Sequence, residues 1–497
     1  MWFKRDLRLS DHPPLEEAAR SEWPLLLCYF FEPSLMADPH TDIRHWRFVY
    51  QSLQDMQDRL AKHRARLHLF HSEVRPALAL LQEHYDIKGI FSHQETGIKL
   101  TFDRDLAVKE FCKQHGIPWT EHLQDGVRRG AKNRKGWEER WDAHMQASVA
   151  HVVLKSLKIL TVSADLLSRL SPESLPKDIQ EVVPDFQLGG ESQAWQTLRS
   201  FLTERVVDYI KHLSKPQLSR ESCSRLSPYI AYGNLSVRQI CQLAESGKSS
   251  RRFERPLTHF RERVWWRSHY IQKLESLDSM EFEPTNRGFA SMERSRRADW
   301  LKAWCDGQTG VPMVDASMRC LQATGYLNFR MRAMLVTFAS YTLWLDWRPV
   351  AHHLARLFLD FEPGIHYGQI HMQAGLTGYH TLRIFNPIIQ CQQHDSDGAF
   401  VYKWVPELRK LPVPILFEPW KMTFIEQEGY GLVLGRDYPA PLVDYEEGTR
   451  QGRDRYWEFR QSKAVKQALP GIWLRLCLMR NWEKYEEELS QNTKTAE

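Results

Sequence analysis

The sequence predicts an α/β domain with a Rossmann-like parallel sheet, followed by a large all-α domain. Three observations carry this. The first ~125 residues alternate short apolar runs with segments of helical periodicity. The stretch from Asp125 to about Gly190 loses that pattern. Beyond Gly190, strand signals almost vanish and helical segments dominate. The expected organisation is therefore residues 1–125, an interdomain linker at 126–190, and a helical domain at 191–497.

In the first part, Leu25–Phe31, Arg66–Phe70, Ile87–Phe91 and Ile117–Glu121 read as strands. Thr41–His63, Glu73–His84 and Thr101–His115 read as the helices between them. An opening strand would have several apolar residues before Trp2, so the chain is expected to begin slightly late, with its first strand cut short. Neither G-x-G-x-x-G nor a Walker A loop is present, which argues against an ordinary dinucleotide or P-loop site in this sheet. In the linker, Gly126–Gly136 is basic and Gly-rich, and reads as a solvated loop or a phosphate contact. Ser163–Pro184 is rich in Ser and Pro, and a short helix is expected near Trp137–His151. The helical part contains Glu191–His212, Val237–Ser246, Glu254–Leu274, Ala298–Cys305, Asp315–Ala323, Phe329–Trp344, Val350–Leu359 and Trp457–Ser462.

Of the 497 residues, 42% are hydrophobic and 26% charged, the proportions of a globular protein. No apolar run is long enough to span a bilayer, and no basic and apolar leader opens the chain. A cytoplasmic monomer without a membrane partner is expected. The eight cysteines are scattered, with no C-x-x-C pair and no metal-site spacing, so they read as reduced thiols and no metal is expected. A net charge of +5 permits DNA binding without arguing for it. The 18 tryptophans indicate large aromatic cores or a use for indole.

The segment Phe329–Trp347 is apolar nearly all round except for Arg330 and Arg332. Such a helix is buried, and arginines at its mouth need acidic or phosphate partners. Asp360-Phe361-Glu362 follows one helix later. Further motifs are Trp2–His12 (WFKRDLRLSDH), Cys223–Tyr229 (CSRLSPY), Thr309–Arg319 (TGVPMVDASMR), Arg383–Pro387 (RIFNP), Trp404–Leu408 (WVPEL) and Glu418-Pro419-Trp420. Ser224 and Ser227 supply hydroxyls and Arg225 a fork of donors ahead of a helix start at Pro228, a set suited to a pyrophosphate.

Taken together and in this order, these motifs resemble those of the photolyase/cryptochrome superfamily. The resemblance spans residues 2 to about 420 and implies FAD folded inside the helical domain. It places Tyr209, Ser224, Arg225, Leu226 and Ser227 against the phosphates and ribityl chain, with Trp266 and Arg267 on a helix passing the cavity. It pairs Arg332 with Asp360 beside the flavin and puts Glu362 where the family often has a second Asp. His366 falls at the position facing flavin N5, usually Asn in photolyases, where its titration would set the protonation of the flavin radical. The implied activity is that of a DNA photolyase, a light-driven carbon–carbon lyase acting on UV-damaged DNA with a flipped pyrimidine dimer. Trp266, Trp347 and His366 are then the residues nearest the chemistry, Arg330 and Arg383 match positions that contact DNA phosphate, and Lys403 or Arg409 would add to the basic rim. The alternative is a cryptochrome-type blue-light photoreceptor without repair. The short polar tail Glu483–Glu497 speaks against it; the altered lesion pocket and His366 speak for it.

Departures from the family pattern concern the electron wire, the lesion pocket and the antenna. Of the three wire tryptophans only Trp347 has a match; Ile370 and Arg294 fall at or near the other two positions. Either the wire follows other aromatics, such as Trp344, Tyr341, Trp304 or Tyr367, or photoreduction is weak. The lesion-pocket positions align with Arg263, Phe329, Ala333 and Met372. The Asn-Glu pair that binds a folate antenna is absent from Gln94–Gly97, so a second chromophore, if present, is of unknown identity.

Overall fold

The computed structural model describes residues 1–131, 133–248 and 251–476. Lys132, Cys477 and the tail Glu483–Glu497 lie outside the described residues. Five strands form the N-terminal part: β1 (Trp2–Phe3), β2 (Leu27–Phe31), β3 (Leu67–His71), β4 (Ile90–His93) and β5 (Trp119–His122). All pairings are parallel, in the order β1-β2-β3 and, separately, β4-β5. β2 is buried along its whole length, as a parallel strand covered on both faces must be. The helices Ile43–Ala61, Val74–His84 and Lys99–His115 fall within two residues of the spans expected from periodicity.

The 126–190 stretch is more structured than a linker reading implies. Leu25 pairs in parallel with Ile159, extending the sheet margin. Trp137 and Trp141, on the Trp137–Gln146 helix, are buried. Two arginines of the basic loop are neither solvated nor free for phosphate. Arg129 donates to Asp105 (3.0 Å) and Glu121 (2.9 Å). Arg134 is buried, lies 4.1 Å from the Trp137 ring centre and bonds His269 Nδ1 at 2.9 Å.

The remainder is helical. Several expected helices have different limits; the expected Trp457–Ser462 segment is only the end of a longer helix, Tyr445–Arg460. Glu191–His212 breaks at Glu204 into the Glu191–Thr203 helix and two short turns. Phe329–Trp344 is α-helical only to Thr337 and then runs as a π turn over Phe338–Thr342. There Gly452 meets the Tyr341 carbonyl so closely that a Cβ would stand 2.0 Å from it. Val350–Leu359 begins earlier, at Trp347, capped by Asp346, and stops at Leu357, which frees Asp360 to leave the helix. The long Arg251–Ser276 helix packs against Pro363–Gln373 at two glycines. A Cβ on Gly364 would meet Ile271 Cα at 2.4 Å, and one on Gly368 would meet Tyr270 Cδ1 at 2.7 Å.

The opening motif joins the two parts. Arg5 donates to the carbonyls of Ala231 (2.9 Å) and Phe361 (2.6 Å), and Arg8 to that of Gly233 (2.9 Å). Other motifs are structural knots. Asp315 accepts from Thr309 N and Oγ1 (2.7 Å each), Gly310 N (3.1 Å) and Tyr438 Oη (2.6 Å). Arg319 bonds Glu407 at 2.6 Å, tying the Thr309–Arg319 segment to Trp404–Leu408. Asn386 caps the Pro387–His394 helix. Among the described residues, no helix is long and apolar enough to cross a membrane, and the seven described cysteines are free.

Candidate flavin-nucleotide site

A cavity of about 590 Å3 opens in the helical part, within the range of small-molecule sites. Its wall includes Tyr209, Ser224, Arg225, Ser227, Trp266, Arg267, Arg332, Asp360, Glu362 and His366, ten of the residues expected there. Leu226 is buried in the core and is not on this wall. Trp347 is buried behind it, edge-on to Tyr367 and His371. Arg330, Arg383 and Lys403 are also off the wall. Arg330 is half-buried, 5.8 Å over the Phe385 ring; Arg383 and Lys403 are exposed.

The CSRLSPY loop is shaped by one strained residue. Arg225 has φ 59°, a left-handed conformation that costs a non-glycine residue energy. It is held by Gln187, whose Oε1 accepts from Arg225 Nε (3.1 Å) and Nη2 (2.8 Å) and whose Nε2 donates to the Arg225 carbonyl. The guanidinium also lies 3.5 Å over the Tyr326 ring. Across the cavity, Arg332 makes two 2.9 Å bonds to the Asp360 carboxylate, the planar fork such pairs favour. Burial alone would raise the Asp360 pKa, but the Arg332 charge and the Ser227 hydroxyl outweigh it, and the pKa is lowered.

Glu362 is buried between Arg5 (3.7 Å) and Arg267 (3.3 Å). Its pKa is raised, because burial outweighs both cations. His366 is buried and its Nε2 lies 2.9 Å from the Ala351 carbonyl, so Nε2 carries the proton and Nδ1 is left as an acceptor. Burial pushes its pKa down to about 3. The expected titration of His366 therefore does not occur near neutral pH: the imidazole stays uncharged.

Three wall atoms are buried without a partner: Asn328 Oδ1, Glu362 Oε1 and His259 Nδ1. Buried polar atoms are almost always bonded, so these are the atoms a polar ligand would satisfy. Asn328 and Glu362 stand at N-cap positions, yet neither caps its helix. An Asn at an N-cap ordinarily bonds its own helix; here its amide nitrogen reaches the Leu213 carbonyl at 3.3 Å instead. With serine hydroxyls and guanidiniums for phosphate, acceptors for ring N–H groups, and Val336, Leu354, Phe358 and Ile370 for ring faces, the wall fits a flavin dinucleotide. Sequence reading missed Gln187, Tyr326 and His259. Asn328 was readable as a cap, but only the fold shows that it does not act as one.

The departures have structural counterparts. Arg263 lies 5.5 Å over the Phe329 ring, and Phe329 and Trp266 are each 44% exposed. Arg294, near the expected outer wire position, sits 4.0 Å over Trp344 and donates to the carbonyls of Ser340 and Ala374. Glu95, where a folate ligand would be sought, is bonded to Arg104 at 2.6 Å.

The chain thus joins an α/β domain to a helical domain whose cavity is lined for a nucleotide cofactor. The family profile "DNA photolyase" matches residues 1–128, and "FAD binding domain of DNA photolyase" matches residues 260–458. The chain is 27% identical over 469 residues to a deoxyribodipyrimidine photo-lyase of Alkalihalophilus pseudofirmus, covering 90% of this chain and 95% of that protein. It is 28% identical over 487 residues to a cryptochrome DASH of Synechocystis sp., covering 91% and 96%. The solved cryptochrome of Synechocystis sp. PCC6803 superposes with a TM-score of 0.81 at 23% identity, over 91% of this chain and 98% of that one. The chain belongs to the photolyase/cryptochrome family, and its cofactor is FAD.

Proposed function

We propose that the protein is a deoxyribodipyrimidine photolyase, a light-driven carbon–carbon lyase that splits UV-induced pyrimidine dimers in DNA. The observation that carries this is an exposed aromatic, Trp266, on the rim of a cavity whose depth holds the Arg332–Asp360 pair. Bound, reduced FAD supplies the light absorption and the single electron that opens the crosslink. Ser224, Arg225 and Ser227 hold its phosphates and Tyr209 lines the same end; Arg267 fixes Glu362 from the helix above. Arg332 and Asp360 orient the ring edge, with Glu362 protonating more readily than an exposed glutamate. His366 keeps its proton on Nε2 and presents Nδ1 as an acceptor. Val336, Phe358 and Ile370 exclude water, which keeps these charges poorly screened.

Trp266 stacks on the flipped base pair, since a crosslink inside a duplex cannot reach a buried flavin. Arg330, Arg383 and Lys403 bind phosphate on the flanking strand. Blue light should restore oligonucleotides carrying a defined cyclobutane dimer or (6-4) product, and darkness should not. No light-dependent repair of either lesion would sink the reading. A photoreceptor without repair is the second reading, favoured by the Arg263–Phe329 stack at the lesion-pocket positions. It requires a light-induced change in oligomeric state or tail proteolysis in protein that repairs neither lesion.

A further inference from the structure

Behind the cavity, Tyr367 is fully buried and its hydroxyl meets His40 Nε2, 327 residues away in sequence. His40 is itself buried, stacked on Phe361 at 5.5 Å and edge-on to His352 at 4.9 Å. Its Nδ1 lies 2.6 Å from Asp38 Oδ1, and the same carboxylate oxygen accepts the His40 backbone N–H at 2.9 Å. This fixes the tautomer: Nδ1–H donates to Asp38, and the Nε2 lone pair accepts the Tyr367 O–H. A carboxylate-oriented imidazole accepting a hydroxyl proton is the arrangement of a general base. A buried phenol needs only a carbonyl to be satisfied, so the His–Asp pair supplies more than hydrogen-bond balance.

The position of Tyr367 gives that base a use. Its ring centre is 5.4 Å from that of His366, a cavity-wall residue, and 6.3 Å from that of Trp347. Ile370 on the same wall cannot carry a hole, and the Arg348 guanidinium lies 4.8 Å over Trp347. A cation there raises the energy of a positive hole on the indole. A tyrosine that gives up its proton as it is oxidised becomes a neutral radical and escapes that penalty.

We propose that Tyr367, His40 and Asp38 form a proton-coupled relay that accepts the oxidising equivalent when the flavin is photoreduced. The proposal rests on the flavin photochemistry of the proposed function. The oxidant is light-excited oxidised flavin, acting directly or through Trp347. Tyr367 loses one electron; its O–H bond breaks; the proton forms an N–H bond at His40 Nε2; the resulting imidazolium is held by Asp38.

Illumination of flavin-loaded protein without added reductant, followed by electron paramagnetic resonance and transient absorption, tests this. Wild-type protein should give a neutral tyrosyl signal that forms more slowly in D2O. Tyr367→Phe should lose it and leave a tryptophanyl signal; Asp38→Asn should slow its formation. A tyrosyl signal unchanged in Tyr367→Phe overturns the relay, as does wild-type protein that yields only a tryptophanyl signal with the same decay as Tyr367→Phe. In flavin-free protein, the Tyr367–His40 bond should give a phenolic vibrational band that shifts in His40→Phe, and no shift also counts against the relay. Repair by wild-type protein reduced beforehand with dithionite reports on the proposed function alone, so the two readings fail separately.

Discussion

Two parts of the same cavity wall are built differently. Arg225, Arg332 and Asp360 are held by partners distant in sequence: Gln187 and Tyr326 on Arg225, and the doubly bonded Arg332–Asp360 pair. At Phe329, Ala333, Ile370 and Met372 the wall is apolar or cation–aromatic, with Arg263 over Phe329 and no charged group on the other three. The first arrangement suits a ligand whose shape does not change. The second tolerates replacement, because a stacked face or an aliphatic contact can be exchanged without orphaning a buried charge. The secure and the rewritten parts of the site divide along that line.

The comparison breaks first if the Arg332–Asp360 pair can be removed without loss. Asp360→Ala should strand a largely buried guanidinium and cost about 3 kcal/mol of stability, the low end for a buried pair because Arg332 keeps some exposure. Bound flavin should be lost with it. Denaturant titration and the visible absorbance of the purified variant measure both. A yellow variant of native stability would mean that this part of the wall is no more demanding than the other.

On the replaceable side, Trp266→Ala should act on DNA and leave the flavin. Stacking a base on an aromatic ring contributes about 1–3 kcal/mol, so affinity for a UV-irradiated oligonucleotide should fall roughly 10- to 100-fold at fixed salt. Flavin content should stay at the wild-type level. Equal loss of affinity for irradiated and intact DNA would show that Trp266 does not read the lesion.

His366 sharpens the contrast, since it lies on the apolar side yet is polar. Its folded pKa of about 3 is below the ordinary value of about 6.5 for an unfolded histidine. Between those values the unfolded chain binds the extra proton, so stability falls as pH drops through that window and is insensitive to His366 above it. His366→Asn should flatten the acid limb by up to about 1.4 kcal/mol per pH unit, read from denaturation midpoints across the window. His45, His93 and His371 are depressed by burial in the same way and will keep part of the slope.

Strand and helix periodicity made most of the architecture legible before any coordinate. What escaped it depends on contacts across the chain. Nothing local marks the π turn at Phe338–Thr342, where Gly452 from a distant helix packs against the Tyr341 carbonyl. The motif residues Ser224, Arg225, Arg332 and Asp360 were readable because their chemistry is unusual in a buried helix or its adjoining loop. Gln187 was not, because a lone glutamine ahead of two glycines carries no signal until Arg225 is seen folded onto it. Arg129 and Arg134 looked like free cations for the same reason: their partners Asp105, Glu121 and His269 are far away in sequence.

The smallest effect is expected at the outermost cations. Arg383 and Lys403 are exposed, and each would contribute one phosphate contact with no information about sequence or lesion. Arg383→Ala should therefore weaken damaged and intact DNA alike and lower the slope of log affinity against log salt by about 1. Lys403→Ala should do less, because its ammonium lies 5.2 Å from the Trp404 ring and is partly engaged there. Binding isotherms at several salt concentrations decide it. An unchanged salt slope in Arg383→Ala would move the DNA track away from this rim and leave Arg330, half-buried against Phe385, as the contact to test next.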